Sequence, residues 1–276
     1  MILRKNLLPR RVSDALTTLF VIVMIPTVYY FEIFIVLPRF YMMWSFWHIF
    51  HCTLGTYILW NIVTNFVALQ LCDTSIRGRL MPSNPGKSWR FCSVCESFAP
   101  PRSWHCQVCD VCILKRDHHC IFISYCIGHD NLRYFIMFVL YMFIATVYAS
   151  YYNLMFIWEV VPFDYSWKTL FKIIFPFAVL FIDFTHNQAY VVVSLIIIIG
   201  AIFCGVLLFY HTSNMLKAQV TKERNKSLNE YDRGVWNNIK DVLGDKWYLV
   251  WLSPFIKSSL DQDGINWITK NSDKAK

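Results

Sequence analysis

Residues 92–126 read CSVCESFAPPRSWHCQVCDVCILKRDHHCIFISYC, and they dictate how the middle of this chain folds. The stretch holds seven of the ten cysteines and three of the eight histidines, in the order C-x2-C-x9-H-C-x2-C-x2-C-x4-D-H-H-C-x5-C. In a reducing compartment, closely spaced cysteines with histidines favour zinc over disulfides. A redox C-x2-C pair would need a thioredoxin-like strand and helix context, which the sequence lacks. We therefore expect metal binding.

The stretch offers more ligands than two zinc ions need. A structural zinc takes four nitrogen or sulfur ligands, so two ions take about eight. If both sites are full, neither metal keeps the open position at which a hydrolytic zinc binds water. The ions should therefore shape the loop, and any catalysis falls to the two residues left over. The ten candidate ligands are Cys92, Cys95, His105, Cys106, Cys109, Cys112, His118, His119, Cys120 and Cys126.

Four apolar stretches surround this loop, at residues 15–37, 43–71, 134–158 and 188–210. Each is long enough for a membrane-crossing helix, which needs about 20 residues. The chain is 56% hydrophobic and only 16% charged, which excludes an ordinary soluble domain. A fifth stretch, 170–182, is interrupted by Lys172 and Pro176, so we predict that it does not span. No internal repeat is evident.

The basic residues predict the orientation of the four helices. Of the 26 lysines and arginines, 23 lie in the N-terminal segment, the cysteine-rich loop or the C-terminal tail, which the positive-inside rule places in the cytosol. We predict an all-α membrane protein with four transmembrane helices and a cytosolic zinc-binding loop between helices 2 and 3. Its partner is the lipid bilayer, and no nucleic acid is expected. The predicted regions are 1–71 with helices 1 and 2, 72–133 with the zinc loop, 134–210 with helices 3 and 4 and a lumenal loop, and 211–276 as a cytosolic tail.

Several polar residues lie inside the predicted spans, and two interpretations stay open. Intramembrane ionisable groups can mark a conduction path, which would indicate a channel or transporter. The same side chains can instead bond helix to helix, which we favour because the spans carry no paired charges. The residues concerned are Glu32, His48, His51, Asn61 and Asn65.

The run Asp117-His118-His119-Cys120 follows the segment PRSWHC at 101–106 and precedes Cys126-Ile127-Gly128 and Asn131. Together they resemble the protein S-acyltransferases, or palmitoyltransferases, that are named for their Asp-His-His-Cys (DHHC) motif. The likeness covers the whole cysteine-rich loop and the four-span layout. It extends into the tail, where Val220-Thr221-Lys222-Glu223 stands in the place of the family's Thr-Thr-x-Glu, and Asn238 matches an asparagine thought to brace the active loop.

The resemblance implies a role for each ligand candidate. One zinc would be held by Cys92, Cys95, His105 and Cys112, and the other by Cys106, Cys109, His119 and Cys126. Asp117, His118 and Cys120 would then form the catalytic group. Their chemistry fits, because a thiol becomes a good nucleophile when an imidazole takes its proton and a carboxylate orients that imidazole.

The implied reaction is a two-step transfer of a long-chain acyl group from acyl-CoA through Cys120 to membrane-proximal cysteines of substrate proteins. A membrane address suits this substrate, since burying a palmitoyl chain at about 0.8 kcal/mol per methylene is worth on the order of 11 kcal/mol. An endomembrane such as the endoplasmic reticulum or Golgi is expected. Four cations near the motif are candidates to bind the CoA phosphates, although topology or anionic lipid also explains them. They are Arg90, Arg102, Lys115 and Arg116.

Four positions after the motif depart from the family pattern: Ile121, Phe122, Ser124 and Tyr125 stand where proline, tryptophan and two asparagines are usual. Phe122 keeps an aromatic surface for an acyl chain. The changed polar contacts allow for an alternative, a catalytically weak or inactive membrane scaffold whose zinc loop binds partner proteins. Cys120 separates the two functions, because a scaffold does not need a spare thiol beside a spare imidazole and carboxylate.

Overall fold

Four long apolar helices dominate the fold. The computed structural model describes residues 2–82, 85, 86, 88–160, 166–182 and 185–270. The first long helix comprises α1 (Val12–Phe31), a π-helical turn (Glu32–Val36) and α2 (Leu37–Phe40), and the others are α3 (Phe46–Leu71), α4 (Leu132–Val160) and α7 (His186–Leu216). Within the described ranges, these 4 helices are long and apolar enough to cross a membrane. The four-span prediction is confirmed.

The fifth apolar stretch forms two short helices. They are α5 (Trp167–Ile174) and α6 (Pro176–Ile182), and neither approaches the roughly 20 residues of a span. Pro176 begins α6, where its missing N–H is tolerated, and so separates the two. Residues 161–165, 183 and 184 of the predicted lumenal loop lie outside the described residues.

The chain forms two compact units. The helical unit, within residues 23–60 and 139–208, contains the C-terminal parts of the first long helix and of α4, and the N-terminal parts of α3 and α7. Here Asn153 Nδ2 donates to Glu32 Oε1 at 2.6 Å, Ser194 Oγ donates to Asn153 Oδ1 at 3.1 Å, and His51 Nδ1 contacts the Tyr148 hydroxyl. These bonds join one helix to another, as we favoured for Glu32 and His51. The apolar core of this unit consists of Phe31, Val36, Ala149, Phe156 and Ile197.

The loop unit, within residues 1–22, 61–138 and 209–276, contains the cysteine-rich loop, helix ends and the tail. The loop folds as three consecutive antiparallel hairpins, which add strands to the mostly helical chain. The residue before each second strand, namely Glu96, Asp110 or Ser124, has positive φ, between 47° and 54°. The strands are β1 (Arg90–Cys92) with β2 (Ser97–Ala99), β3 (Trp104–Cys106) with β4 (Val111–Ile113), and β5 (His118–Cys120) with β6 (Tyr125–Ile127).

The three hairpins are a structural repeat that is not evident from the sequence. Each first strand ends in a cysteine, and these cysteines follow one another at 14-residue intervals, at Cys92, Cys106 and Cys120. The repeat is difficult to recognise in the sequence because few other equivalent positions of the three hairpins have the same residue. Three residues after each of these cysteines stand Cys95, Cys109 and Ile123.

The tail packs against the loop through a buried ion pair. Arg102 donates from Nε and Nη2 to both carboxylate oxygens of Glu223 in α8 (Thr221–Asn225), at 2.8 and 2.7 Å. Asn238 lies in α9 (Val235–Leu243) and is fully buried, and its Nδ2 donates to Leu216 O at 2.8 Å. Thus Asn238 ties α9 to the end of the last long helix, which suits the bracing role implied by the resemblance.

Candidate active site and metal centres

The first cluster of metal-ligand side chains joins hairpins one and two. It comprises Cys92 and Cys95 from the first turn, His105 from β3 and Cys112 from β4, and the ligand atoms all lie within 4.8 Å of one another. His105 Nδ1 is 3.4 Å from Cys95 Sγ and 3.7 Å from Cys92 Sγ. The hairpin register places His105 directly opposite Cys112, so both reach the same point.

The second cluster repeats this arrangement one hairpin later. Cys106 and Cys109 come from the second turn, while His119 and Cys126 face each other across β5 and β6. His119 Nδ1 lies 3.3 Å from Cys109 Sγ, 3.7 Å from Cys106 Sγ and 3.8 Å from Cys126 Sγ. Each cluster therefore takes a C-x2-C pair from one hairpin and a histidine and a cysteine from the next.

Both clusters could hold zinc. A tetrahedral zinc with bonds of about 2.3 Å to sulfur and about 2.0 Å to nitrogen spaces its ligand atoms about 3.5–3.8 Å apart. The distances in the second cluster, from 3.3 to 3.8 Å, fall close to those edges. The structure thus brings together the same two sets of four residues that the family resemblance implies.

Asp14, from the start of α1, supports the second cluster. Its Oδ2 lies 3.0 Å from His119 Nε2, and the carboxylate is 2% exposed. A carboxylate on the far nitrogen of a metal-binding histidine fixes the ring and its tautomer. In the first cluster the corresponding contact is looser, because His105 Nε2 lies 3.8 Å from the exposed carboxylate of Asp110.

Strand alternation separates the two histidines of the motif. Successive side chains of a strand point to opposite faces, so His119 faces one side of β5 while His118 and Cys120 share the other. His119 joins the second metal cluster. Cys120 belongs to neither four-residue cluster among the described residues, and its side chain is buried, with 8% exposure.

The Cys120 thiol needs a base to become a nucleophile. Burial raises its pKa to about 11, and the carboxylate of Asp14 acts in the same direction. The thiol is therefore protonated near neutral pH, where thiolate is the reactive form. His118 provides an imidazole on the same face of β5 as the Cys120 thiol.

Asp117 holds the His118 ring. His118 Nδ1 lies 2.8 Å from Asp117 Oδ2, and since an ionised carboxylate only accepts, His118 donates from Nδ1 and keeps Nε2 free to accept a proton. Burial alone would raise the pKa of Asp117, but hydrogen bonds from His118 and His211 outweigh it and hold that pKa below its ordinary range. Thr221 of the tail donates from its backbone N to Asp117 Oδ1 at 2.8 Å.

The beginning of α1 holds the residues after Cys120. Thr17 Oγ1 donates to Ile121 O at 2.8 Å, and Thr18 Oγ1 donates to Phe122 O at 3.2 Å. The hydroxyls of Thr18 and Ser124 lie 2.7 Å apart. Three of the four positions that depart from the family pattern are thus bound by this chain's own α1.

Tyr125, the fourth position that departs from the family pattern, connects the third hairpin to the segment after α3 and to the N-terminal segment. Its hydroxyl donates to Asp73 Oδ1 at 2.8 Å, and the Arg4 guanidinium lies 4.0 Å from its ring centroid. Gly128 directly follows β6, and its backbone lies so close to Leu114 that an added Cβ would be 2.5 Å from Leu114 O. The altered residues therefore have partners, and the hairpin is firmly held.

The four cations predicted to bind CoA lie in different surroundings. Arg102 and Lys115 are buried, with 4% and 3% exposure, and Arg102 is committed to the ion pair with Glu223. Lys115 Nζ lies 5.2 Å from the ring centroid of Trp267, and burial lowers its pKa to about 7. Arg90 is exposed and Arg116 is half-buried. Burial favours a structural role for the first two, and CoA binding remains a prediction.

Sequence reasoning missed Asp14, His211 and the backbone of Thr221. Asp14 directly precedes the first predicted span, and nothing in its spacing connects it with His119. His211 lies one residue beyond the predicted end of the fourth span. In the structure it belongs to α7, and the Nδ1 of His211 lies 3.3 Å from Asp117 Oδ2. A histidine at the end of an apolar span, on the side of the loop, is the signal that could have found it.

Comparisons with known proteins agree with this geometry. The family model described as DHHC palmitoyltransferase matches residues 86–228. The rat (Rattus norvegicus) protein named probable palmitoyltransferase ZDHHC24 is 31% identical over 219 residues, covering 78% of this chain and 77% of the relative. Its zebrafish (Danio rerio) counterpart is 33% identical over 227 residues, covering 81% and 77%.

A shorter match lies to the cattle (Bos taurus) palmitoyltransferase ZDHHC9, which is 37% identical over 68 residues, covering 25% of this chain and 19% of the relative. The family model covers about half of the chain, and the ZDHHC24 matches extend over most of both proteins. Together with the four spans, these findings show that the chain belongs to the DHHC palmitoyltransferase family of multi-pass membrane protein S-acyltransferases.

Proposed function

We propose that this chain transfers a long-chain acyl group, with palmitoyl as the expected case, from acyl-CoA to cysteines of substrate proteins through an acyl-Cys120 intermediate. The observation that carries the proposal is the free thiol of Cys120. It lies outside both metal clusters and on the same strand face as His118, whose Nδ1 is held by Asp117 at 2.8 Å. Nucleophile, base and orienting carboxylate are thus all provided.

In the first step, Cys120 Sγ attacks the thioester carbonyl carbon of acyl-CoA. His118 Nε2 accepts the thiol proton, a new C–S bond forms to Cys120, and the C–S bond to CoA breaks. The sulfur of CoA leaves with the proton returned from His118. Asp117 keeps the ring in the tautomer that accepts at Nε2 and stabilises the imidazolium.

In the second step, a substrate cysteine takes the place of CoA. Its thiol gives a proton to His118 Nε2 and attacks the acyl carbonyl, and the bond to Cys120 breaks as Cys120 regains a proton. The net reaction exchanges one thioester for another, so no oxidant or reductant is needed. A substrate cysteine close to the membrane surface meets the site most easily.

Two zinc ions, each held by three cysteines and one histidine, would fix the three hairpins and keep β5 in place. Closed four-ligand sites supply structure, not an open coordination position. The first would bind Cys92, Cys95, His105 and Cys112, and the second Cys106, Cys109, His119 and Cys126. For the CoA phosphates, exposed Arg90 and half-buried Arg116 are better placed than buried Arg102 and Lys115.

Incubation with radiolabelled palmitoyl-CoA tests the reaction. We expect the purified wild-type protein to contain about two zinc ions and to take up a label that hydroxylamine removes. Cys120→Ala should contain the same zinc and take no label. A label retained by Cys120→Ala would show that another nucleophile acts, and zinc-loaded wild type without any label would favour the scaffold.

We further propose that the termini and the loop unit face the cytosol, in an endomembrane such as the endoplasmic reticulum or Golgi. The tail carries one convenient reporter, the sequon Asn225-Lys226-Ser227. In cells that glycosylate lumenal sequons, the tail should remain unmodified. A glycan at Asn225 would reverse the proposed orientation.

A further inference from the structure

Asp117 is contacted by a second imidazole that the two-step reaction does not use. His211 lies near the end of α7, and its Nδ1 is 3.3 Å from Asp117 Oδ2. Its ring centroid lies 5.1 Å from that of His118 and 4.8 Å from that of Phe135. The His211 side chain is 8% exposed, so the last long helix carries a buried histidine directly to the catalytic carboxylate.

The donors around Asp117 account for both of its oxygens. Oδ2 lies 2.8 Å from His118 Nδ1 and 3.3 Å from His211 Nδ1. Oδ1 accepts from the backbone N of Thr221 at 2.8 Å and from its Oγ1 at 3.2 Å. An ionised carboxylate accepts about four hydrogen bonds, and the three bonds from His118 and Thr221 together with the His211 contact engage both of its oxygens. The carboxylate therefore cannot turn without losing at least one of these contacts.

This arrangement fixes the direction in which His118 points. A base that takes a proton from a thiol must be held within hydrogen-bond reach of it, so the orientation of the His118 ring matters for the rate. His118 is hydrogen-bonded to Asp117, and Asp117 in turn is contacted by His211 and Thr221, which hold its own orientation. Removing the His211 donor would free Oδ2 to move.

We propose that His211 is a positioning residue of the acyl-transfer site, which holds the Asp117 carboxylate and through it the His118 ring. The inference rests on the proposed function of Cys120 and His118. His211 need not touch the acyl donor. Its loss should therefore slow acyl transfer without changing the binding of acyl-CoA.

Two amides of different length test whether the donor at Nδ1 is what matters. In His211→Asn the amide nitrogen takes nearly the place of Nδ1, whereas in His211→Gln it lies about one bond farther out. We expect His211→Gln to lower the single-turnover rate of Cys120 acylation by about 10- to 100-fold, the range for losing one hydrogen bond to a charged group. His211→Asn should recover most of this rate. The acyl-CoA concentration at half-maximal rate and the zinc content should stay as in wild type.

A double variant distinguishes action through Asp117 from general damage. If His211 works through the carboxylate, then adding His211→Gln to Asp117→Asn should cost little beyond Asp117→Asn alone. Full additivity would overturn the inference. So would wild-type acylation by His211→Gln, or an equal loss in the Asn and Gln variants accompanied by lost zinc or a lower melting temperature.

The same measurements separate this inference from the proposed function. A wild-type protein that takes no acyl label refutes the function, whereas a labelled wild type with an equally fast His211→Gln refutes only the role of His211. Asp117, His118 and His211 could also hold a metal ion. A third zinc ion in wild type that is absent from His211→Gln would assign a metal in place of positioning and overturn the inference.

Discussion

The second and third hairpins of the loop share one design and differ at one decisive position. In both, a histidine in the first strand faces a cysteine in the second, as His105 faces Cys112 and His119 faces Cys126. In both, the first strand ends in a cysteine, Cys106 or Cys120. Three residues later, however, the second hairpin has Cys109 and the third has Ile123, which is fully buried.

This difference explains why one thiol is free. Each metal cluster takes its cysteine pair from one hairpin and its histidine and second-strand cysteine from the next. No fourth hairpin follows the third among the described residues, and Ile123 removes the second thiol of the pair. Cys120 therefore occupies the position equivalent to Cys106 but belongs to neither four-residue metal cluster, and Asp117 and His118 lie just before it in the chain. A structural repeat that ends early thus leaves one thiol outside the metal clusters.

The largest expected effect distinguishes the two equivalent cysteines. Cys106→Ala should lose both acyl labelling and about one zinc ion, because it removes one of the four ligands of the second cluster. Cys120→Ala should lose labelling by about 10³-fold or more while keeping both ions, as expected for a nucleophile. Zinc analysis and acyl labelling of the same preparations measure both. Equal zinc contents in the two variants would show that Cys106 and Cys120 play the same role toward the metal.

A smaller effect is expected for the carboxylates behind the two histidines. Asp14→Asn should weaken zinc binding in the second cluster by about 10- to 100-fold, because Asp14 lies 3.0 Å from His119 Nε2 and is buried. Asp110→Asn is the matched control, since the exposed Asp110 lies 3.8 Å from His105 Nε2 and should matter little. The rate of zinc release to a chelator measures the effect of each variant. Equal release rates for the two variants would contradict the assignment of Asp14.

The smallest basal effect is expected when the missing thiol is restored. Ile123→Cys should fold and retain part of its acylation, because a cysteine leaves a smaller cavity than alanine at this buried position. It should also become sensitive to Cd²⁺, which binds paired thiolates and would compete for Cys120. Ile123→Ala creates a larger cavity without a thiol and is the control. If Cd²⁺ inhibits the two variants to the same degree, the turn of the third hairpin does not place residues 120 and 123 as the second hairpin places Cys106 and Cys109.

Much of the framework could be predicted from the sequence, because the physics behind it is local. Spans of apolar residues between charged segments determine the four helices, and the order of cysteines and histidines indicates metal sites. The motif also places Asp117 and His118 next to each other, and the structure shows their hydrogen bond.

The remaining parts of the site depend on contacts between distant segments. Asp14 reaches His119, and His211 reaches Asp117, only because the fold brings the two helices to the loop. Arg102 illustrates the opposite case. Its charge and position suggested a phosphate contact, but Glu223, 121 positions away, binds it in a buried ion pair. Residue type predicted the chemistry of these side chains, while tertiary structure decided their partners.

X-ray absorption at the zinc edge tests most directly whether Cys120 is free of metal. Each cluster contains three cysteines and one histidine, so we expect an average of three sulfur ligands and one nitrogen ligand for each zinc. This average should be the same in wild type and in Cys120→Ala. A drop in sulfur coordination in Cys120→Ala would place the proposed nucleophile on a metal and contradict the account.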